Sequence, residues 1–325
     1  MKILVTGGAG YIGSHMNIKL AEAGHDVCVI DNLSHGHISS VKKSKFFHCD
    51  LNDNSRLNEI FSAEQFDVVF HFAGLIDVAE SMQNPTLYYT NNVNGTITLL
   101  DCMAEHKVHN LLFSSTAAIY GTPQSSLIDE AHPKKPINPY GESKLMVEQA
   151  LVDYQKKHDI NYISLRYFNA AGSDYLNHVG ECHDPETHLI PLVLQAASGR
   201  RKSISIFGDD YATPDGTCIR DYIHVSDLCD AHLLAMNHLL NTKKSDHFNL
   251  GNGQGFSVRD VINTAQQVTG KDIIIKPDKR RLGDPDILVA DAQKAKSLLK
   301  WQPQRDRLHD IISDAWQWEQ ILTQH

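Results

Sequence analysis

The stretch Lys2-Ile3-Leu4-Val5-Thr6-Gly7-Gly8-Ala9-Gly10-Tyr11-Ile12-Gly13 is the first informative passage of the chain. Lys2–Thr6 is a short apolar run of strand type and Tyr11–Ala23 reads as a helix, so the glycines occupy a strand-to-helix turn. Gly7 allows the tight turn, Gly10 lets a pyrophosphate approach the backbone, and Gly13 lets helix and strand pack closely. The helix N-terminus then stabilises phosphate charge. A second strand, Asp26–Ile30, ends at Asp31. An acid there is placed to bond a ribose diol and to repel a 2′-phosphate, which favours NAD over NADP. Asp50 ends a third strand and reads either as an adenine partner or as a strand-end turn former.

Further strand candidates are Lys45–His48, Asp67–His71 and Asn110–Ser114, with helical stretches between them, most clearly Pro85–Lys107. Pro139–His158 follows as a helix and Asn161–Tyr167 as a strand. Strands alternating with helices predict an α/β protein: a Rossmann-type doubly wound parallel sheet covered on both faces. After about residue 168 Gly, Pro and polar residues become denser and strands shorten. The expected organisation is an NAD-binding Rossmann domain over 1–168 and a smaller C-terminal α/β substrate-binding domain over 169–325, with more than one crossing between lobes allowed. The 325 residues agree with a prior of roughly 150 residues per domain.

Hydrophobic residues make up 42% and charged residues 21%, which suits a globular chain able to bury a core. The net charge of −9 argues against nucleic acid or a membrane surface as partner, because it repels phosphates at long range. A phosphate-bearing substrate therefore needs a few cations concentrated at its site. No apolar stretch approaches the roughly 18 residues of a membrane helix. Cys28, Cys49, Cys102, Cys182, Cys218 and Cys229 form no CxxC pair, and the opening MKILVTGG lacks signal-peptide regions. Reduced thiols in the cytoplasm are the simplest reading.

Pro139-Tyr140-Gly141-Glu142-Ser143-Lys144 opens the long helix. Tyr140 and Lys144 are four apart and project from one face, either as a solvated surface pair or as a catalytic one. A tyrosine is a poor base at its ordinary pKa of about 10. A lysine ammonium and a cationic nicotinamide ring both favour the phenolate, which then accepts a proton from an alcohol as hydride leaves the same carbon. The dinucleotide turn upstream favours the catalytic alternative. Phe113-Ser114-Ser115-Thr116 ends a parallel strand, where ligand crevices of open sheets lie. Thr116 is the candidate to bond the reacting oxygen, with Ser114 lining the cofactor; equally, these hydroxyls could cap the loop.

Taken together, VTGGAGYIGSH, HFAGL, NNVNGT, PYGESKLMVEQ, RYFNAAG, RDYIHVSDL and RLGDPD resemble the extended short-chain dehydrogenase/reductase family, in its NAD-dependent epimerase/dehydratase branch. The similarity runs nearly end to end. It implies an isomerase that epimerises C4 of a UDP-hexose (UDP-glucose and UDP-galactose) through a 4-keto sugar, using tightly held NAD that is not consumed. It places the cofactor at Gly7, Gly10, Tyr11, Ile12, Gly13, Asp31, Asn32, Asp50, Leu51, Phe72, Ala73, Gly74, Asn91, Tyr140, Lys144 and Phe168. It places the UDP-sugar at Thr116, Asn169, Leu189, Phe207, Arg220, Arg281 and Asp284. The arginines suit that task because a planar guanidinium grips phosphate oxygens at two points. The resemblance also implies a homodimer built by pairing two helices per subunit. The plain alternative for Leu145, Met146, Ala150 and Leu151 is packing against the sheet.

Some positions depart from the family pattern. Thr116 stands where serine is common and keeps the hydroxyl. Glu142 lies off the Tyr140–Lys144 face. Ile76 replaces a lysine found in some members. Leu288 stands where members restricted to unacetylated sugars carry a gatekeeping tyrosine, so mixed activity on the N-acetylated pair is expected. A dehydratase of the same family usually has Asp-Glu just after the strand-end threonine, and here Thr116 is followed by Ala117-Ala118. The same residues also suit a net NAD-consuming dehydrogenase or a non-catalytic NAD-binding regulator, the second disfavoured because both Tyr140 and Lys144 are present. His178, Glu181, Cys182, His183, Glu186 and His188 cluster in one segment, but their spacing fits neither HExxH nor a zinc finger. The expectation is a polar substrate loop and no metal.

Overall fold

The computed structural model describes residues 1–281 and 284–324. In chain order the elements are β1 (Lys2–Thr6), α1 (Tyr11–Glu22), β2 (Asp26–Asp31), β3 (Lys45–His48), α2 (Asn54–Ala63), β4 (Val68–His71), α3 (Val78–Gln83), α4 (Pro85–Tyr88) and α5 (Gly95–Glu105). Then come β5 (Asn110–Thr116), α6 (Pro139–His158), β6 (Asn161–Tyr167), β7 (Asn169–Ala171), β8 (Ser173–Asp174), β9 (Val179–Gly180), α7 (Leu189–Ser198), β10 (Ile204–Phe207) and β11 (Ile219–His224). The last are α8 (Val225–Thr242), β12 (Asp246–Leu250), β13 (Gly255–Ser257), α9 (Val258–Thr269), β14 (Ile275–Asp278), β15 (Ile287–Leu288) and α10 (Leu308–Thr323). The strands and helices expected in the first half are present to within two residues at each end, apart from Pro85–Lys107.

That stretch is interrupted. Between α4 and α5, Tyr89–Asn94 forms a π turn. A π turn adds a residue to the helix and rotates the face that follows. Its effect here is to bury Asn92 and set its side chain on the loop after β4, where Leu75 N donates to Oδ1 at 2.8 Å and Nδ2 donates to Leu75 O at 3.0 Å.

Two compact units divide the chain: Met1–Gly121, Pro133–Arg166 and Cys229–Phe248 in the first, and Thr122–His132, Tyr167–Leu228 and Asn249–His325 in the second. Beside the change of unit at 166–167, near the expected boundary at 168, the chain also crosses at 122–132 and 229–248. The physical reason for the second segment lies in α8. Ala231, His232, Ala235, Met236 and Leu239 are buried there, and the His232 ring lies 5.0 Å from Phe72 and 6.3 Å from Phe70.

The first unit is organised around a seven-stranded sheet in the order β12-β6-β5-β4-β1-β2-β3. The pairs β5–β4, β4–β1, β1–β2 and β2–β3 are parallel. Strand order reverses between β1 and β4, the switch point where open α/β sheets bind ligands at the strands' carboxyl ends. β4 and β5 are buried throughout, as expected of strands covered on both faces. Leu4, Ile30, Val69, Leu100, Phe113 and Leu151 belong to the core on one side of this sheet.

The second unit holds a small sheet in which β11 pairs antiparallel with β13 and parallel with β15 and β7. β10 and β14 form a parallel pair, and β8 and β9 an antiparallel one. Its core joins Ile190, Val193 and Leu194 of α7 to Val261 and Ile262 of α9 and Ile311 and Ile312 of α10.

Candidate active site

In the first unit the turn after β1 explains its glycines sterically. Gly7 has φ +70°, and a Cβ there would lie 2.5 Å from Ala73 N. A Cβ on Gly13 would lie 2.2 Å from Gly7 O, so only glycine lets α1 start so close to β1. Gly10 is the N-cap residue and brings no side-chain acceptor, which leaves the first-turn amides at Tyr11, Ile12 and Gly13 uncapped by a side chain. Asp31 is buried at the end of β2, accepting from Ala9 N at 3.0 Å on Oδ2 and from Leu33 N at 2.8 Å on Oδ1. A carboxylate has about four acceptor positions, so capacity for a diol remains. Asn32 Nδ2 donates to Asp50 Oδ2 at 2.7 Å, and Asn52 N donates to Asp50 Oδ1 at 2.8 Å. Burial opposes the charge of Asp50, yet these hydrogen bonds hold its carboxyl below the usual range. Leu51 is buried beside it. Uncapped amides to donate to a pyrophosphate and an anchored carboxylate to accept from a ribose diol are what a dinucleotide needs at the switch point.

The Tyr140–Lys144 pair is set by α6. Asn138 caps the helix by accepting from Gly141 N at 2.8 Å, and Pro139 occupies its first position. Gly141 is required by proximity: a Cβ would lie 2.6 Å from Ala118 O. Thr116 Oγ1 accepts from Ala118 N at 3.1 Å, and its hydroxyl stands close enough to Tyr140 to favour the ionised phenol. The loop-cap role and the Tyr140 contact therefore coexist in Thr116. Lys144 is buried; its Nζ donates to Ser114 O at 3.0 Å and lies 5.1 Å from the Phe113 ring centroid. Ser114 thus engages Lys144 through its backbone carbonyl. Gly74, in the Phe72-Ala73-Gly74 loop after β4, leaves room for this ammonium: a Cβ would lie 3.2 Å from Nζ.

Burial raises the Tyr140 pKa above 10, and the Thr116 hydrogen bond opposes the rise. Burial lowers Lys144 to about 8. The lysine effect expected on the phenol is not part of this balance, because Nζ is turned to the Ser114 carbonyl. His71, buried at the end of β4, is held neutral, lowered to about 3 by burial and by Lys144, and it bridges Thr6 Oγ1 at 2.7 Å and Thr96 Oγ1 at 2.8 Å.

Two positioning features escape the sequence reading. Asn92 sits beside the expected Asn91, which donates to its Oδ1 at 2.9 Å; Asn92 Nδ2 also reaches Ser143 Oγ at 3.2 Å. It ties the π turn, the loop after β4 and α6 into one support. The signal available was a second Asn in NNVNGT. The other feature is Glu148, one helical turn beyond Lys144. It is buried and accepts from Ser115 Oγ at 2.7 Å and from Arg166 Nε at 2.8 Å and Nη2 at 2.6 Å. Arg166 Nη1 donates to Tyr120 at 3.0 Å. This buried fork fixes α6 on β5 and β6. Its signal was the i, i+4, i+8 series Tyr140, Lys144, Glu148 on one face.

In the second unit a separate group of expected residues converges. Arg220 on β11 pairs in register with Leu288 on β15. Its Nη1 donates to Pro285 O at 2.9 Å and its Nη2 to Asp284 Oδ1 at 3.2 Å. Arg281 lies with its guanidinium carbon 4.0 Å from the Phe207 ring centroid, a cation–π stack. Asn169 is anchored by donating to Asp221 O at 2.8 Å, Phe168 precedes it half-buried, and Leu189 is the first residue of α7. The fold also gathers Glu181, His183, Glu186 and His188, while His178 and Cys182 of the same segment stay outside the group.

The sequence model of the NAD dependent epimerase/dehydratase family matches residues 3–251. The chain belongs to that family. Among its relatives, UDP-glucose 4-epimerase of Halalkalibacterium halodurans is 50% identical over 318 residues, which covers 98% of this chain and 95% of the relative. A solved structure of UDP-glucose 4-epimerase from Brucella ovis in complex with NAD matches with TM-score 0.95 and 44% identity over 97% of each chain. The UDP-Glc/GlcNAc 4-epimerase from Campylobacter jejuni matches with TM-score 0.88 and 43% identity, covering 98% of this chain and 99% of that one.

Proposed function

We propose that this chain catalyses reversible epimerisation at C4 of a UDP-hexose, interconverting UDP-glucose and UDP-galactose. The observation that carries the reading is the Tyr140 phenol beside the Thr116 hydroxyl, which favours its ionised form, with Lys144 one turn along the same helix and no carboxylate at positions 117 and 118. Such a site oxidises and reduces an alcohol carbon but lacks the extra acid and base that water elimination needs. The relatives named UDP-glucose 4-epimerase, at 50% and 44% identity, point the same way.

The roles follow from chemistry. Thr116 Oγ1 bonds the 4-hydroxyl and passes its proton to Tyr140. Lys144 keeps a positive charge in the site below about pH 8; with Nζ turned to the Ser114 carbonyl at rest, it acts on negative charge that develops during turnover. The first-turn amides of α1 hold the dinucleotide's pyrophosphate, and Asp31 its ribose diol. NAD supplies the hydride acceptor and a ring cation when bound. Arg220 and Arg281 hold the substrate diphosphate, Phe207 and Asp284 the uridine, and Asn169 and Leu189 complete that set. C4 becomes a ketone and is reduced on its opposite face, so no net redox occurs. Incubation with UDP-galactose and separation of the products tests this: UDP-glucose should form without steady growth of absorbance at the NADH band. Steady NADH accumulation instead would make the chain a dehydrogenase.

Leu288 is the residue that sets sugar breadth in this reading. It pairs with Arg220 and is smaller than a tyrosine, so the N-acetylated pair is accepted too. The Campylobacter jejuni relative, named for both UDP-Glc and GlcNAc, supports that breadth. Comparable kcat/KM for UDP-galactose and UDP-N-acetylgalactosamine is expected, and no turnover of the second would refute it. The functional unit is a homodimer: Leu87, Met146 and Val152 remain exposed on α4 and α6, whereas Leu151 faces the core. A monomer mass by light scattering would overturn that. No disulfide joins the six cysteines and no described helix is long and apolar enough to cross a membrane, which supports a cytoplasmic enzyme.

A further inference from the structure

We propose that Glu181, His183, Glu186 and His188 form a binding site for one Zn²⁺ in the second unit. Their ligating atoms all lie within 4.8 Å of one another, and Glu181 is buried while the other three are half-buried. His183 Nδ1 is 3.4 Å from Glu181 Oε1 and 3.5 Å from Glu186 Oε2; His188 Nδ1 is 3.3 Å from Glu186 Oε1 and 2.7 Å from Glu181 Oε1. Zinc bonds to nitrogen and oxygen of about 2.0–2.1 Å give a tetrahedron with edges of about 3.3 Å, so three of these four separations are already those of a metal cage.

The directions of the groups point the same way. His188 Nδ1 is buried and close to Glu181 Oε1, yet it makes no hydrogen bond of good geometry there. Such an oblique approach is expected where a nitrogen and an oxygen lone pair both look to a third atom. The support around the ligands is built as well. Glu186 Oε1 accepts from Thr187 N at 2.8 Å and His188 N at 2.9 Å, which fixes the carboxylate. Glu181 O accepts from Trp318 Nε1 at 2.8 Å, anchoring that residue on α10. Such outer contacts are what hold metal ligands in place. Two imidazoles with two carboxylates suit a borderline metal such as Zn²⁺ better than Ca²⁺ or Mg²⁺. With four protein ligands the site is closed, so its role is structural. It joins the end of β9 to His188, the N-cap of α7, and so braces the start of the helix that carries Leu189.

The linear sequence hides this because the ligands sit at spacings of two, three and two residues, which match no zinc motif. The test uses the untagged full-length chain, stripped with a chelator and dialysed against Zn²⁺ or Co²⁺. The expected result is one Zn²⁺ per chain by elemental analysis and the intense visible bands of tetrahedral Co²⁺. His188→Ala should weaken Zn²⁺ binding by more than the roughly 10–100-fold typical of losing an outer-shell partner. Glu186→Gln keeps the shape of the side chain and serves if His188→Ala fails to fold; it should weaken binding in the same direction. Zinc content at background, absence of tetrahedral Co²⁺ bands, or unchanged affinity in Glu186→Gln would each overturn the proposal and leave a plain ion-pair network.

Discussion

Two groups of buried and half-buried ionisable side chains, one in each unit, are shifted toward opposite charge states, neutral in the first and charged in the second. In the first unit burial lowers Lys144 to about 8 and raises Tyr140, with no carboxylate in contact to offset either change. In the second, burial also works against the charged histidines. Glu181 and Glu186 override it, raising His183 to about 9 and His188 to about 10. Burial sets the direction of a shift unless an opposite charge stands in contact. The uncompensated lysine is left with a proton that it can lose near neutral pH, which suits chemistry. In the compensated cluster the two carboxylates balance two positive charges, which are protons without metal and would be replaced by Zn²⁺ on binding, and either state suits structure.

The sharpest way to break that comparison is Tyr140→Phe. Loss of the phenol should lower kcat by about 10³-fold, within the range for a positioned acid–base group, while circular dichroism stays unchanged. A loss under tenfold would remove Tyr140 from the chemistry. Glu148→Gln comes next. It leaves Arg166 as a buried cation without its partner, and urea unfolding should show a loss of about 3 kcal/mol. A stability change near zero would mean the fork does not hold α6.

Lys144→Met should lower kcat by about 10²-fold. Its pH signature is more telling than its size. Lys144 is charged below about pH 8, so wild-type kcat should fall as pH rises through 8 and the variant should lack that limb. The unfolded chain holds this proton up to its ordinary pKa of about 10.4. The burial cost of the charge is therefore greatest below pH 8, and stability rises between the two values. The variant should accordingly be more stable than wild type at pH 7 and less active. A variant both weaker and unchanged in pH profile would mean Lys144 only packs. The smallest effect is expected at Arg281→Ala, where KM for the UDP-sugar should rise about tenfold, a loss of about 1.4 kcal/mol of binding, with kcat nearly kept. An unchanged KM, also in Arg220→Ala, would remove the diphosphate from that site.

Much of the fold was legible because its signals are local. The glycine turn, the acid at the end of β2 and the alternation of β1 to β6 with helices are read from neighbours in sequence. The π turn at Tyr89–Asn94 was not legible, since the pull on Asn92 comes from Leu75 and Ser143, far along the chain. Nor was the return of 229–248 to the first unit, which depends on the packing of His232 against Phe70 and Phe72. Of the candidate site, Tyr140 and Lys144 stand out from a spacing of four, but Arg166 carries no mark of its bond to Glu148.

Sequence alone therefore settles the class of fold and the residue types available for chemistry, because helical period, strand alternation and turn sterics act over a few residues. It leaves open which ionisable groups meet opposite charge once buried. That is a matter of distance in space, and it separates Lys144, facing only a carbonyl at 3.0 Å, from His188, with a carboxylate at 2.7 Å. A charge's energy depends on its burial and nearest partner rather than on chain order, so only the folded molecule decides that Lys144 is pushed toward its neutral form and His188 toward its charged one.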